Sequence, residues 1–213
     1  MRNIHKFKEP RCLVEHRCSK DACYENIPTQ TRQILKQTLL QEQGYICAYC
    51  MGRISENNMK IEHVASRHEH PELQLTYSNL VACCLGNEGA PFEKTHCDTS
   101  KKSKSLSKNP AIPKYRIEES IQYYPNGTIY STDSVIDTEI NEILHLNLGI
   151  LCNNRKAVMT VVRKTLSSLP TNATYGEIEK ILQKWENQDD SKKYKPYAGI
   201  AIFFLKKRLR NSH

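Results

Sequence analysis

The sequence contains few of the residues that build long apolar segments. Its 213 residues include one tryptophan and four phenylalanines, and hydrophobic residues make up 38% of the chain. It has no run of about 18 apolar residues, which excludes a helical membrane span. With only eight glycines, it also cannot be a collagen-like repeat. The first residues carry charge but no apolar stretch, unlike a secretory signal, so we expect a cytoplasmic protein with no membrane partner.

Positive charge and cysteine are abundant by contrast. Lysine and arginine number 31 against 23 acidic residues, which gives a net charge of +8. This excess favours an anionic partner, and nucleic acid is the commonest one. The nine cysteines are an odd number and do not fit a complete disulfide framework. In a reducing compartment, clustered cysteines first indicate metal binding.

The length predicts one or two domains, and the composition divides the chain into three parts. Residues 1–27 are basic and show no clear period, so we interpret them as an N-terminal extension. Residues 28–110 are predicted to form an α+β core. Residues 111–213 follow a stretch rich in helix breakers and are predicted to hold a β-turn segment and then a helical, partner-docking region.

The spacing of apolar residues predicts the main elements. A helix is expected over residues 29–43 and a short strand over residues 58–64. The stretch IEESIQYYPNGTIYS, residues 117–131, predicts two short strands around a Pro-Asn-Gly turn. From residue 134 onward, apolar residues recur at helical spacing in four successive segments.

Four cysteines of the central part have the spacing of a zinc site. Cys47 and Cys50 form a Cys-x-x-Cys turn, which suits two ligands of one tetrahedral ion. Cys84 and Cys97 are predicted to complete the set, with Cys83 as an alternative to Cys84. A zinc ion contributes on the order of 10 kcal/mol to the folding of small modules, which suits a region with few large apolar residues.

Other interpretations of the cysteines stay open. A redox-active Cys-x-x-Cys is expected after a strand and at the start of a helix, whereas this motif follows a helix, so redox chemistry is the weaker hypothesis. A second zinc site in the first part is also less favoured than free thiols, because the spacings between its candidate ligands are loose. Those candidates are Cys12, His16, Cys18 and Cys23.

The central part also holds a set of polar residues in a recognisable order. The zinc cysteines alternate with an acid-His pair at Glu62-His63, with Asn79, and with Cys-Asp-x-x-Lys ending at Lys101. This order resembles the zinc-containing HNH endonucleases and, more closely, the HNH proteins of Septu and retron antiphage systems, the PtuB type. The stretches that carry the resemblance are GYICAYC, KIEHVASR, YSNLVACC, HCDTSKKS and LNLGILCNNR, which span roughly residues 40–155.

The resemblance implies a zinc-stabilised ββα-metal (HNH) core, with an N-terminal helix and a helical C-terminal region, that cuts phosphodiester bonds. His63 is then the base that activates water, since imidazole titrates near neutral pH. Glu62 and Asp98 supply the hard oxygen ligands that suit a catalytic Mg²⁺ or Mn²⁺ ion. Asn79 is expected to bond to the backbone and orient His63, and Lys101 to neutralise phosphate charge.

The sequence departs from the broad HNH pattern at three points. Glu62 stands where Asp is common in the wider superfamily, and Asp98 stands where Asn or His is usual. Twelve residues separate Cys84 from Cys97, which is a longer gap than in the simplest HNH zinc knuckles. His96, beside Cys97, is therefore the runner-up metal ligand.

Basic residues near these motifs are candidate contacts for nucleic acid. The run KKSKSLSK follows Asp98 directly and is interpreted as a strip that contacts phosphates. The predicted contacts are Arg53, Arg67, Lys102 and Lys104. The substrate is DNA or RNA, including a specific RNA such as tRNA, because hydrolysis by an activated water does not require the ribose 2′-hydroxyl.

The resemblance also implies partners. Proteins of the PtuB type work with a PtuA-type ABC/OLD-like ATPase that restrains the nuclease, and retron versions also work with a reverse transcriptase and its RNA–DNA product. The alternative is a non-catalytic, zinc-stabilised adaptor that binds nucleic acid or an ATPase. An adaptor needs the cysteines and basic residues but not the acid-His, Asn and Asp set, so the sequence favours the nuclease.

Overall fold

The computed structural model describes residues 1–170 and 174–211. Within these ranges the helices are α1 (Arg11–Arg17), α2 (Thr29–Glu42), α3 (Cys97–Lys101), α4 (Ile117–Ser120), α5 (Ser134–Thr138), α6 (Gly149–Ser167), α7 (Tyr175–Glu186) and α8 (Ala198–Arg210). The strands are β1 (Met59–His63), β2 (Leu80–Cys84), β3 (Gln122–Tyr123) and β4 (Ile129–Tyr130). They form two antiparallel pairs, β1 with β2 and β3 with β4.

The first strand pair brings distant parts of the sequence together. Strand β1 agrees with the strand predicted over residues 58–64, and its register with β2 places His63 opposite Leu80 and Met59 opposite Cys84. The 16 residues between the two strands run through two single turns of 3₁₀-helix, the second of which ends at Asn79. The strand that carries the acid-His pair is therefore joined to the strand that ends in a zinc cysteine.

Helix α2 confirms the helix predicted over residues 29–43. Its face towards the core is apolar, with Leu35 and Leu39 fully buried. The helix ends in a left-handed turn at Gly44, where φ is +56°. A Cβ atom at this position would lie 2.3 Å from the Tyr194 ring, so both the turn and the close contact require glycine.

The segment over residues 117–131 differs from its prediction in its first half. Residues 121–131 do form the expected β3–β4 pair around the turn, but Ile117–Ser120 is the short helix α4 rather than strand. Glu118 and Glu119 lie in the first turn of this helix, where acidic side chains are favoured by the exposed amide groups. A four-residue helix has no apolar repeat, which is why spacing could not reveal it.

The C-terminal helices agree with the prediction of helix from residue 134 onward. Helix α5 continues into one π-helical turn over Glu139–Ile143. Helices α6, α7 and α8 then pack around an apolar cluster, whose buried members are Val162, Ile178, Ile181, Leu182, Ala201, Leu205 and Leu209. Helix α7 begins with a capping box between Thr174 and Glu177, which satisfies amide groups at its start.

The largest apolar cluster contains side chains from all three predicted parts of the chain. Met1 and Leu13 from the first part are buried in it with Leu80 from the second and Ile140 and Ile200 from the third. The first and third parts therefore help to cover the central strands. In the described ranges no helix is both long and apolar enough to span a bilayer.

Candidate active site

Four cysteine sulfurs converge on one point. The Sγ atoms of Cys47, Cys50, Cys84 and Cys97 all lie within 4.8 Å of one another. Cys47 and Cys97 are 3.8 Å apart at sulfur, as are Cys50 and Cys84. Zinc bound tetrahedrally to thiolates at about 2.3 Å has sulfur–sulfur edges of about 3.8 Å. The donor set and its spacing therefore fit a structural zinc ion, and this is the set predicted from the sequence.

Backbone geometry holds these cysteines in place. The knuckle that carries Cys47 and Cys50 closes through a hydrogen bond of 2.8 Å from the Cys47 amide to the Gly52 carbonyl. Cys84 ends β2, and Cys97 begins α3 with a left-handed φ of +55°. Burial alone would raise the pKa of the Cys47 thiol, but hydrogen bonds from the neighbouring thiols outweigh it and leave that pKa well below its usual value.

The two alternative ligands lie beside the cluster but outside it. Cys83 is fully buried, but adjacent strand residues point to opposite faces, so Cys84 joins the other three thiols and Cys83 does not. The Nδ1 atom of His96 is 3.2 Å from the Cys97 sulfur and 3.9 Å from the Cys84 sulfur. His96 is thus placed to hydrogen-bond a ligand rather than to replace one, as second-layer groups do in metal sites.

The cysteines of the first part do not form a comparable set. Among residues 1–170 and 174–211, the Cys47 group is the one cluster whose ligand atoms lie close enough to share an ion. The His16 ring bonds to the Cys23 carbonyl at 3.0 Å, and Cys18 is exposed. These placements agree with the interpretation of free thiols.

The predicted carboxylates meet next to the cysteine cluster. Glu62 is 5% exposed and its Oε1 lies 2.7 Å from the Lys101 ammonium group and 3.2 Å from the Tyr49 hydroxyl, which donates to it. Asp98 is close enough to act on Glu62, and on its other side it pairs with Lys60 at 3.6 Å. Burial first, and then the neighbouring Asp98 carboxyl, raises the pKa of Glu62 to about 8, although Lys101 opposes the rise.

His63 is held in one orientation by the loop that follows it. Its Nε2 atom is 2.9 Å from the carbonyl oxygen of Gln74, so this nitrogen carries the proton and donates, and Nδ1 is the unprotonated nitrogen of the neutral ring. The ring also packs edge-on against Tyr24, with centroids 4.5 Å apart. Burial is the main cause that lowers the pKa of His63 to about 4. The imidazole is therefore neutral at pH 7, which is the form that can accept a proton.

Asn79 bonds to the backbone, as expected, but not to the imidazole. Its side chain accepts from the Ala65 amide at 2.8 Å and donates to the Ala65 carbonyl at 2.9 Å. It also donates to the Leu73 carbonyl at 3.3 Å. The histidine tautomer is therefore set by Gln74, and Asn79 acts one step away by fixing the residues on either side of that contact.

The position of Lys101 does not suit its predicted role of neutralising phosphate charge. The side chain is 1% exposed, and its ammonium group donates to the His63 carbonyl at 2.9 Å in addition to pairing with Glu62. A buried and doubly bound ammonium group cannot meet a substrate phosphate from this position. The sequence shows the spacing of Lys101 one helical turn after Asp98, but not that this turn faces the core.

The four predicted contacts for nucleic acid are also placed unequally. Arg53 is exposed, but its guanidinium group donates to the carbonyls of Gly44, Tyr45 and Tyr194 and so ties the zinc knuckle to a later segment. Lys102 is exposed and lies 4.0 Å from the Phe92 ring centroid. Two further predicted contacts, Arg67 and Lys104, are exposed. All four therefore lie at the surface, but the guanidinium group of Arg53 is already bonded to backbone carbonyls.

The structure adds residues that sequence reasoning missed. Gln74 and Tyr24 contact His63, Tyr49 bonds to Glu62, and Lys60 pairs with Asp98. Tyr49 and Lys60 each had a signal, because one lies inside the Cys-x-x-Cys knuckle and the other precedes Glu62 by two on the same strand. Gln74 and Tyr24 come from irregular segments, where no periodicity gives such a signal.

Comparison with known proteins gives a consistent result. No protein-family model matches the chain. The chain is 25% identical over 247 aligned residues to "Retron Ec83 putative HNH endonuclease" of Escherichia coli, and the alignment covers 95% of this chain and 94% of the relative. It is 31% identical over 86 residues to "Retron Vc95 putative HNH endonuclease" of Vibrio cholerae, covering 38% of this chain and 40% of that one. Both similarities support the HNH endonuclease and the retron system that the motifs indicate.

Proposed function

We propose that this chain is a metal-dependent HNH endonuclease that hydrolyses phosphodiester bonds of nucleic acid. One observation carries the proposal: the Asp98 carboxyl is close enough to act electrostatically both on Glu62 and on His63, a neutral histidine with a fixed tautomer. The four candidate zinc cysteines flank Glu62 and His63 in sequence, and Asp98 follows the last of them directly; a shared ion would join β2 to α3. A base next to hard oxygen ligands is what hydrolysis of a phosphodiester requires.

In this proposal, His63 accepts a proton from the attacking water at Nδ1, while Gln74 keeps the ring oriented through Nε2. Glu62 and Asp98 are the residues that would hold Mg²⁺ or Mn²⁺, since carboxylate oxygens are the ligands that these ions prefer. When bound, such an ion stabilises the charge that develops on the phosphate and the leaving oxygen. Lys101 and Tyr49 both contact Glu62 Oε1, so this oxygen is already bonded within the chain.

We infer further that β1, β2 and α3 form the ββα-metal unit implied by the resemblance. The two strands are antiparallel, the first carries the acid-His pair, and the short helix carries Asp98. This order of elements supports the assignment. Exposed Arg67, Lys102 and Lys104 are proposed to contact the phosphate backbone of DNA or of an RNA such as tRNA.

The proposal extends to an effector of antiphage defence that is restrained by an ABC/OLD-like ATPase, with a retron reverse transcriptase and its RNA–DNA product as further partners. The names of both relatives support the retron context, and the Septu or PtuB type stays a finer proposal. A groove of about 1210 Å³ runs beside α8, and we propose it as the docking site of the ATPase. It is lined by apolar Met51, Tyr123 and Phe203, with Glu118 and Lys207 among its charged residues.

A non-catalytic adaptor is the second candidate, and the buried Lys101–Glu62 pair favours it. An ammonium group within 2.7 Å of Glu62 already neutralises one proposed metal ligand. An adaptor would keep the zinc site and the basic surface but would not cut nucleic acid. The two candidates therefore differ in a measurable outcome.

The test is His63→Ala, assayed on plasmid DNA, phage DNA and bulk tRNA with Mg²⁺ or Mn²⁺, alone and with the co-purified ATPase. Loss of a general base lowers the rate by about 10²–10⁴-fold, while zinc content and melting temperature should stay close to those of the parent. His68→Ala is the matched control, because His68 is exposed in the same loop. Cleavage that survives in the His63 variant would show that His63 is not the base and that the assignment of this site is wrong. Absence of cleavage in the parent on every substrate would favour the adaptor.

A further inference from the structure

The N-terminal part of the chain builds one wall of the proposed active site. The Tyr24 amide donates to Gln74 Oε1 at 3.0 Å, and the carbonyl of the same Gln74 accepts from His63. The Tyr24 ring packs edge-on against the imidazole at 4.5 Å. Arg32 donates to the Tyr24 carbonyl at 2.8 Å, which fixes the segment to α2. Tyr24 is thus a positioning residue that two independent hydrogen bonds hold against His63.

The same tyrosine ring is also the platform on which a positively charged arginine, Arg67, stacks close to the proposed base. The Arg67 guanidinium carbon lies 4.6 Å from the Tyr24 ring centroid, and the imidazole of His63 contacts the same ring. Stacking on an aromatic face leaves the edge of a guanidinium group for bidentate contacts with an anion. The Arg67 side chain is 40% exposed, which makes it accessible to a bound nucleic acid.

An internal carboxylate already occupies that position. Glu25, the residue after Tyr24, forms an ion pair with Arg67, and its own side chain is 67% exposed. Bonding to its own backbone and to Arg67 lowers the pKa of Glu25, so it is ionised at neutral pH. An exposed ion pair is weak, because both partners remain well solvated. A phosphate that is also bound elsewhere in the site can therefore displace Glu25.

We propose that Arg67 binds a substrate phosphate beside His63 and that Glu25 is a built-in competitor for this arginine. The inference rests on the proposed function and deepens it, since it assigns one phosphate contact and a means of weakening non-productive binding. Glu25 holds Arg67 in the free protein, and substrate replaces the carboxylate. No covalent step is involved, only the exchange of one anion for another.

The experiment measures binding of short fluorescent single-stranded DNA, duplex DNA and tRNA as a function of salt, with His63→Ala as the parent so that no substrate is cut. Glu25→Gln should bind about two- to five-fold more tightly, the range of an exposed ion pair. Arg67→Gln should bind more weakly and lower the slope of log K against log salt by about 0.7–0.9, the loss of one phosphate contact. Glu25→Gln should add nothing further once Arg67 is replaced.

Matched controls separate a specific contact from net charge. Arg116 and Glu119 form another exposed ion pair, so Glu119→Gln and Arg116→Gln change the net charge by the same amounts. The inference fails if Glu119→Gln tightens binding as much as Glu25→Gln, or if Arg67→Gln leaves the salt slope unchanged. If the chain with His63 intact cuts nucleic acid in a His63-dependent way but Glu25→Gln does not change binding, the inference is overturned and the proposed nuclease function stands. Absence of binding to all three probes would overturn both.

Discussion

The segment from Cys47 to Lys101 and the helices α6–α8 are stabilised by different interactions. The first combines apolar packing with four thiols around one point and the buried Lys101–Glu62 pair. The second is held by aliphatic side chains that pack between helices, with Val162 and Leu205 at most 1% exposed. Hydrogen bonds and ion pairs are directional, whereas apolar contacts are not. The difference explains why the candidate chemistry lies in the first region and why the second serves as its support.

The two regions are nevertheless connected through α3. The Cys97 amide donates to the Leu144 carbonyl at 2.9 Å, and the Ser100 hydroxyl donates to the Ile143 carbonyl at 2.7 Å. Both acceptors lie at the end of the π-helical turn that precedes α6. The position of Asp98 therefore depends on the thiols on one side and on the helical region on the other.

Removal of the zinc ligands should have the largest effect. Cys97→Ser breaks the four-thiol set, and structural zinc contributes on the order of 10 kcal/mol in small modules, which is comparable to the whole stability of a domain. We expect loss of stoichiometric zinc by elemental analysis, together with loss of amide protection in β1, β2 and α3. Protection in α7 and α8 should persist longer, because their cluster contains no thiol ligand.

Cys18→Ser is the matched control, since Cys18 is exposed and outside the cluster. It should keep both zinc and the protection pattern. If Cys97→Ser retained stoichiometric zinc, the assignment of this site would be wrong. Equal loss of protection in α7 would mean that the two regions unfold as one unit.

Replacement of Lys101 should have the next largest effect. Lys101→Met leaves the Glu62 carboxyl group buried without its cation, and breaking a buried ion pair costs about 3–5 kcal/mol above pH 8, where Glu62 is ionised in the parent. At pH 7, where Glu62 is largely protonated, the loss should be smaller. We expect this loss in denaturant unfolding, with partial recovery in the double variant Lys101→Met with Glu62→Gln, which no longer buries a carboxylate. Lys102→Met is the control, because its side chain is exposed.

This prediction decides between two roles for Lys101. A lysine that bound phosphate would lower nucleic-acid affinity when replaced and leave stability nearly unchanged. If Lys101 instead neutralises Glu62, its replacement lowers stability, and the double-variant cycle then gives a large coupling energy. A coupling energy near zero would contradict the buried pair.

Truncation of a buried side chain in the helical region should have an intermediate effect on stability and no effect on zinc binding or cleavage. Leu205→Ala removes a fully buried side chain from the cluster between α6, α7 and α8, at a cost of about 2–5 kcal/mol. Zinc content and His63-dependent cleavage should be unchanged at temperatures where the variant is folded. Val161→Ala, at an exposed position of α6, is the control and should cost far less. A Leu205 variant that lost zinc would show that the two regions share more than the contacts of α3.

The sequence predicts these two regions with different success, for physical reasons. Long amphipathic helices repeat their apolar residues, so α2 and α6–α8 agree with their predictions. The zinc set was predictable because tetrahedral thiolate sites need paired cysteines at short spacing. The four-residue helix at Ile117–Ser120 was mistaken for strand, because so short an element has no period and is decided by its ends and its packing.

The candidate site was predictable in its residue types and not in its contacts. Motif order indicated Glu62, His63, Asn79 and Asp98. The fold puts Asp98 within electrostatic reach of both Glu62 and His63, whereas Asn79 bonds to the backbone of the following loop. Burial of Lys101 depends on which side of α3 faces the core, and spacing alone does not determine that. Gln74 acts through its backbone carbonyl, which every residue possesses, so no side-chain pattern marks it.

The smallest effect is expected at the contact that joins the end of the central part to the helical region. Asp133 caps α5 by accepting from the Val135 and Ile136 amides, and it pairs with Lys108 at 2.9 Å. The hydrogen bond from Lys108 is the main cause that lowers the pKa of Asp133. A carboxyl pKa that is lowered by folding stabilises the fold at pH values above the unfolded-state pKa, and this contribution is lost as the pH falls through the folded-state pKa.

Asp133→Asn should therefore lower the free energy of unfolding slightly at pH 7 and not at all in acid. Asp133→Ala, which also removes the cap, should remain destabilised at both pH values. A pH-independent loss in the Asn variant would mean that the ion pair contributes nothing to stability.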